Sequence, residues 1–150
     1  MIEGLIIKEI KSHHDATGFF AELAKEGEES FREIKQTSYS ETYPGVIKAF
    51  HKHDYWELWV VVKGVAEIAL YDGRKQSQSK GEKQRIVAGE KNLLLLAIPP
   101  NVAHGYRALN NASVGILYHA AFAYDPKNPG IENIPYDSPE IGFDWSAPHG

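Results

Sequence analysis

Apolar and polar residues alternate along much of this chain in short stretches, each closed by turn-forming residues before it grows long. A period of two marks strands that bury one face. Eight short segments, alternating or wholly apolar, read as strands: Leu5–Ile10, Phe31–Tyr39, Val46–His51, Leu58–Val62, Val65–Tyr71, Lys83–Val87, Asn92–Ile98 and Ser113–Tyr118. Val, Ile, Tyr, Phe and Thr give them their β preference. One stretch departs from the pattern. Ala21–Gly27 carries Ala, Glu, Leu and Lys followed by Gly, which predicts a short helix ending at Gly27. Asp72-Gly73 predicts a turn directly after Tyr71.

From Tyr124 onward, Pro126, Pro129, Pro135, Pro139 and Pro148, with Gly130 and Gly142, interrupt any regular element. Tyr136, Phe143 and Trp145 are too many large rings for a solvated segment. The expectation is a Pro-rich C-terminal tail, about residues 125–150, packed over the body of the protein. With no internal repeat and no linker, residues 1–150 are expected to form a single all-β domain, an antiparallel sandwich or barrel.

Composition narrows the chemistry. A chain of 150 residues buries a sufficient core without covalent staples. Its 16 Lys and Arg against 20 Asp and Glu give a net charge of −4, and no basic cluster is present to grip a phosphate backbone, so nucleic acid is not an expected partner. The absence of cysteine excludes disulfide scaffolds, Fe–S clusters, thiolate zinc sites and cysteine nucleophiles. The apolar run Leu5–Ile7 is too short for a signal-peptide core and Leu93–Pro100 too short to span a bilayer, so a cytoplasmic protein with no membrane partner is expected.

The densest chemistry lies between Gly45 and Gly64, where His51, His53 and Glu57 follow the spacing G-x5-HxH-x3-E-x6-G. Two histidines at i and i+2 on a strand share a face, and Glu57, after a short irregular link, can return a carboxylate to it. His104, after the Pro99-Pro100 turn, can join them from a neighbouring strand. Three imidazoles and one carboxylate suit a divalent transition metal such as Fe, Mn, Co, Ni, Cu or Zn, with positions left for water or substrate. The alternative is a set of hydrogen-bonded interior histidines with Glu57 paired to a cation. No organic cofactor is expected.

This arrangement resembles the first motif of the cupin superfamily, and Pro99-x-Asn101-x-x-His104 resembles the core of the second, with Asn where Gly is usual. The resemblance implies a small jelly-roll barrel with its site inside. A narrower resemblance, to the dTDP-4-dehydrorhamnose 3,5-epimerase family, runs through nearly the whole chain. Asp15-Ala-Thr-Gly18-Phe19-Phe20-Ala-Glu22 resembles that family's D-x-R-G-x-F-x-E, and Gln36-x-Ser38-x-Ser40-x-Thr42-x-x-Gly45 its Q-x-N-x-S-x-S-x-x-G. Lys48-Ala-Phe-His51 stands at R-G-L-H, Asp72-Gly-Arg74 at D-x-R, and Ile98 to Tyr106 at I-P-x-G-x-A-H-G-F. Tyr124-Asp-Pro126, Gly130-Ile131 and Asp137 to Trp145 resemble the closing run.

The resemblance implies that His51 is the catalytic base and Tyr124 the acid of an epimerase acting on a nucleotide-linked 4-keto sugar, and that the protein is a homodimer. It also implies substrate contacts at Phe19, Glu22, Gln36, Ser38, Lys48 and His104. A 4-keto group acidifies the neighbouring ring protons, so a near-neutral imidazole can remove one and a tyrosine across the ring can return one. Three departures accompany the match. Glu57 stands where the family carries Lys, His53 stands where it carries Gln, and the chain stops soon after Trp145, where the family continues into a segment whose Asp orients the base. Residue-level readings temper individual contacts: Phe19 and Phe20 suit a core, and Lys48 shares a face with His51 only if the strand bulges between them. His13, His14, His119 and His149 carry no assignment. The alternatives to an epimerase are a metal-dependent cupin enzyme of another class, such as a dioxygenase, isomerase or lyase, and a non-catalytic sugar-binding cupin.

Overall fold

The computed structural model describes residues 1–146, so Pro148 and His149 lie outside the described residues. Twelve strands follow in chain order: β1 (Ile6–Glu9), β2 (Ser12–Asp15), β3 (Gly18–Ala21), β4 (Gln36–Thr42), β5 (Ile47–His53), β6 (Glu57–Lys63), β7 (Val65–Tyr71), β8 (Lys83–Gly89), β9 (Leu94–Ile98), β10 (Ala103–Ala108), β11 (Val114–Ala120) and β12 (Ile131–Asn133). Two five-stranded sheets, in the orders β1-β9-β6-β11-β4 and β12-β5-β10-β7-β8, form an antiparallel jelly roll, and β2-β3 is a separate hairpin arm. The described residues contain no helix, and so none long and apolar enough to cross a membrane.

The inner faces of the two sheets meet in the main core, where Trp59, Val61, Ile68, Leu70, Leu96, Ile98, Val114 and Ile116 are buried. Both sheets are covered behind as well. Leu58, Val60, Leu95 and Ala97 on the back of the first sheet pack under Leu23, Ala24 and Trp56. Phe50, Ala69 and Ala103 on the back of the second pack under Ile134, Ile141, Phe143 and Trp145. Cover on both faces explains why β6 and β9 read as continuous apolar runs rather than alternating ones.

The tail is held by charge as well as by rings. Buried Glu67 receives the Arg85 guanidinium at 2.7 Å and faces Arg107 at 3.4 Å. The same two arginines donate onward to the Asp144 and Trp145 carbonyls.

Several expectations require correction. Ala21–Gly27 forms no helix: Ala21 pairs with Ser12 in the arm, and Leu23 and Ala24 bury against the first sheet. A segment this short gains too little from helical hydrogen bonds to resist those contacts. The strand expected at Phe31–Tyr39 begins only at Gln36 and runs to Thr42. After Tyr71 the chain enters a loop that returns at Lys83, cross-strand from Tyr71, so Asp72-Gly73 opens a long loop rather than making a turn of its own. Three strands, β2, β3 and β12, carried no sequence signal, and β10 was expected only as the neighbouring strand that bears His104. β10 presents His104 and Tyr106 to the interior, and polar-tipped residues there break the apolar alternation.

The bulge that Lys48 needed is present. Tyr106 pairs with Lys48 and His104 with His51, so three steps on β5 face two on β10. Ala49 and Phe50 both turn to the tail side, returning Lys48 and His51 to the interior. A Cβ at Gly105 would stand 2.3 Å from the Ala49 Cβ, so glycine is the residue that admits the bulge.

Candidate active site

Between the sheets lies a cavity of about 300 Å³, at the lower end of the range for ligand pockets. The second sheet contributes Lys48, His51 and His53 from β5, His104 and Tyr106 from β10, and Ile131 from β12. The first contributes Gln36 and Ser40 from β4, Glu57 and Trp59 from β6, and Tyr118 from β11, while Tyr55, Phe122 and Tyr124 come from connecting segments. Lys48 is the only Lys or Arg lining it among the described residues.

At the cavity floor His53, Glu57 and His104 are 7%, 5% and 1% exposed. Glu57 Oε1 lies 3.2 Å from His53 Nε2, and Oε2 lies 3.4 Å from His104 Nε2. The Trp59 indole N–H donates to Oε2 at 2.7 Å. Burial alone would raise the Glu57 carboxyl, but the contacts with His104 first, then His53 and the Trp59 bond, bring it below its ordinary value. Burial pushes His53 down to about 4, against the pull of Glu57, so this imidazole is neutral near pH 7.

His104 Nδ1 lies 2.9 Å from the Val102 carbonyl, which can only accept, so Nδ1 carries a proton. In neutral His104 the Nε2 lone pair then faces a carboxylate oxygen, and this buried nitrogen has no hydrogen-bond partner. Two acceptors placed so require a proton or a cation between them.

His51 stands higher on β5. Its Nδ1 lies 2.7 Å from Asn133 Oδ1 on β12, directly across the strand pair. Burial lowers its pKa, partly offset by the Asn133 hydrogen bond, and His104 and Lys48 add to the lowering while Glu57 opposes it. Tyr124, on the segment after β11, lines the same cavity, and its backbone N–H donates to Gln36 Oε1 at 2.8 Å. The Tyr55 hydroxyl is pushed up to about 12 by burial, then by the charges of Glu57 and Asp54. Tyr118 rises for similar reasons, burial first and Glu57 second, so both hydroxyls remain protonated donors.

Seven of the ten residues singled out from sequence line this cavity: Gln36, Lys48, His51, His53, Glu57, His104 and Tyr124. Ser38 does not. It stands behind Gln36, accepting from its Nε2 at 3.3 Å, and Ser40 takes the place at the wall. Phe19 and Glu22 do not reach it either: Phe19 stacks on His14 in the arm, 62% exposed, and Glu22 pairs with Lys25.

The four-residue metal set contracts to three, because His53, Glu57 and His104 can bring ligand atoms within 4.8 Å of one another whereas His51 stands outside that group. Asn133, Trp59, Tyr55 and Tyr118 were missed. Trp59 shares strand parity with Glu57, which was a usable signal. Asn133 had none, since only the pairing of β12 with β5 brings it to His51.

An interior cavity walled by both sheets, with an imidazole on one and a tyrosine tethered to the other, is the site of a cupin-type jelly roll. Comparison with known proteins then fixes the family. The family described as dTDP-4-dehydrorhamnose 3,5-epimerase matches residues 1–149, and the chain belongs to it. It is 44% identical over 148 residues to the spore coat polysaccharide biosynthesis protein SpsL of Bacillus subtilis, covering 98% of each chain. It is 29% identical over 151 residues to a dTDP-4-dehydrorhamnose 3,5-epimerase of Methanothermobacter thermautotrophicus, covering 96% of this chain and 80% of that one. A crystal structure of a dTDP sugar isomerase from Desulfovibrio desulfuricans G20 superposes with a TM-score of 0.88 at 26% identity, covering 96% and 92%.

Proposed function

We propose that this protein epimerises a nucleotide-linked 4-keto-deoxysugar by proton transfer between His51 and Tyr124. The observation that carries the reading is that these two residues line one cavity, His51 from β5 of one sheet and Tyr124 from the segment after β11, tethered to Gln36 of β4 in the other. A ring held between them meets a base on one side and an acid on the other. The C–H bond beside the ketone breaks, its proton passes to the His51 ring, and the electron pair moves onto the ketone oxygen as an enolate. The Tyr124 O–H then delivers a proton to the opposite face of that carbon, and solvent exchange restores both residues. Lys48 and the hydroxyls of Tyr55 and Tyr118 are the donors available to the enolate.

His51→Ala and Tyr124→Phe are each expected to abolish solvent-deuterium incorporation into a 4-keto sugar nucleotide, read by mass spectrometry. Undiminished incorporation in both would overturn the assignment.

The name of the Bacillus subtilis relative supports a place in surface-polysaccharide synthesis, and a cytoplasmic location is part of this reading. A homodimer is part of this reading. Phe19 and Phe20, 62% and 64% exposed on the arm, are apolar surface without cover in their own chain, and a second copy is the partner that covers it.

One observation favours a metal-assisted version. His104 Nε2 faces Glu57 with no hydrogen bond of its own, its ring held by the Val102 carbonyl as a metal-bound histidine is held by an outer partner. With His53 this makes a two-histidine, one-carboxylate donor set that fits a divalent transition metal. Such an ion would supply Lewis-acid stabilisation of the enolate, offsetting the charge of Glu57. Elemental analysis of untagged protein, compared with a His53→Ala, Glu57→Gln double variant, decides it: near-stoichiometric metal lost in the variant supports this version, and no metal after reconstitution removes it.

A further inference from the structure

We infer that Asn133 is the positioning residue of His51, holding its imidazole in the tautomer that carries the proton on Nδ1 and so leaves Nε2 free to accept a proton. This rests on the proton-transfer reading above and adds a residue to it that no strand pattern or motif marks.

The observation is geometric. Asn133 Oδ1 lies 2.7 Å from His51 Nδ1, a full hydrogen bond. The contact is built in by the backbone. β12 pairs with β5 in the register Asn133↔His51, and the Phe50 and Ile134 backbones exchange two hydrogen bonds beside it, at 2.6 and 2.8 Å. A carbonyl oxygen can only accept, so it selects the ring nitrogen that bears hydrogen. The neutral imidazole has one such nitrogen, and fixing it at Nδ1 makes Nε2 the lone-pair atom. The bulge at Ala49 sets where the His51 ring emerges, and Asn133 sets how it is turned.

The two nitrogens are therefore given different work. An imidazole free to rotate would present the wrong tautomer, or the wrong edge, for part of the time, and the fraction of competent enzyme would fall in proportion. The reverse orientation of the amide, its N–H₂ donating to an unprotonated Nδ1, would put the proton on Nε2 and make His51 an acid at rest. The inference excludes that state.

The test combines a measurement on the ring with one on turnover. In intact protein labelled with ¹⁵N-histidine, the His51 ring shifts, assigned with His51→Gln, are expected to report Nδ1–H and bare Nε2. Asn133→Ala is expected to lose that bias and to lower kcat for deuterium exchange roughly tenfold, the scale of one net hydrogen bond, with KM little changed. Asn133→Asp, which restores an acceptor at the same place, is expected to recover both the tautomer and most of kcat. An unchanged tautomer and kcat in Asn133→Ala would overturn the inference, as would an Nε2–H tautomer in the wild type. Failure of the underlying reading looks different: His51→Ala would then retain exchange whatever the tautomer shows.

Discussion

Two buried carboxylates, Asp72 and Glu57, stand at opposite poles of satisfaction. Asp72, fully buried at the start of the β7–β8 loop, is saturated. Arg74 grips both oxygens, Nε on Oδ1 and Nη2 on Oδ2 at 2.9 Å each, and the hydroxyls of Ser77 and Ser79 donate to Oδ2 at 2.5 and 2.6 Å. Burial alone would raise its pKa, but the Arg74, Ser77 and Ser79 bonds overcome that and hold it well below the carboxylate range. Glu57 is almost as deeply buried, yet its neighbours are two histidines, one of which brings a buried ring nitrogen within 3.4 Å of Oε2 with no hydrogen bond formed. A carboxylate with every lone pair answered locks a loop. One left half-answered at the floor of a cavity is available for chemistry.

The widest separation between the two is expected in activity. Changes at the cavity, His51→Ala above all, are expected to lower exchange by roughly 10²–10⁴, the usual worth of a positioned acid or base, while leaving the thermal midpoint nearly unmoved. Asp72→Asn is expected to do the reverse, with normal exchange per folded molecule and stability reduced by about 2–3 kcal/mol at pH 7, read by urea unfolding. The sign with pH is fixed. Because the folded state lowers the Asp72 pKa, its contribution is complete above the unfolded value of about 4 and fades as pH falls below that. The difference between wild type and Asp72→Asn is therefore expected to narrow at pH 3. A difference that stayed constant would mean that the loop depends on shape rather than on the charge.

Glu57→Gln sharpens the contrast through its sign. Without a cation, the substitution removes a buried charge and supplies an amide N–H able to donate to one of the histidine nitrogens. Stability is then expected to hold or rise by up to about 1 kcal/mol. With a metal bound, the same change removes a ligand and lowers the thermal midpoint, and added metal no longer raises it.

The sequence separated the two carboxylates in part. Glu57 stood in the His51-x-His53-x-x-x-Glu57 set as candidate chemistry, whereas Asp72-Gly-Arg74 was a turn and a motif match with no role attached; the loop that folds Ser77 and Ser79 back onto Asp72 shows that role to be structural. The sandwich itself was legible in the succession of short strands, and the opposite parity of Lys48 and His51 made a bulge between them the condition for a shared site. What sequence could not show depends on pairing between distant segments. β12 has three exposed residues and no apolar pattern, so Asn133 was invisible. The Leu23-Ala24 segment carries helix-forming residues, but the back of the first sheet claims them. Phe19 and Glu22 matched a motif, yet they sit on an arm away from their own chain's cavity.

The smallest expected effect lies one residue from the inferred positioning contact. Lys52 and Glu132 pair across β5 and β12 on the outward face at 2.8 Å, with side chains 32% and 60% exposed. An exposed pair of this kind is worth about 0.5 kcal/mol at most, so a double-mutant cycle with Lys52→Ala and Glu132→Ala is expected to show little coupling and no change in exchange. Asn133 occupies the same short strand one position on. If removing the outward pair slowed exchange as much as Asn133→Ala does, the docking of β12 as a whole would be what matters. A silent outward pair beside a tenfold loss at Asn133 would instead assign the effect to the one carbonyl that meets the His51 ring.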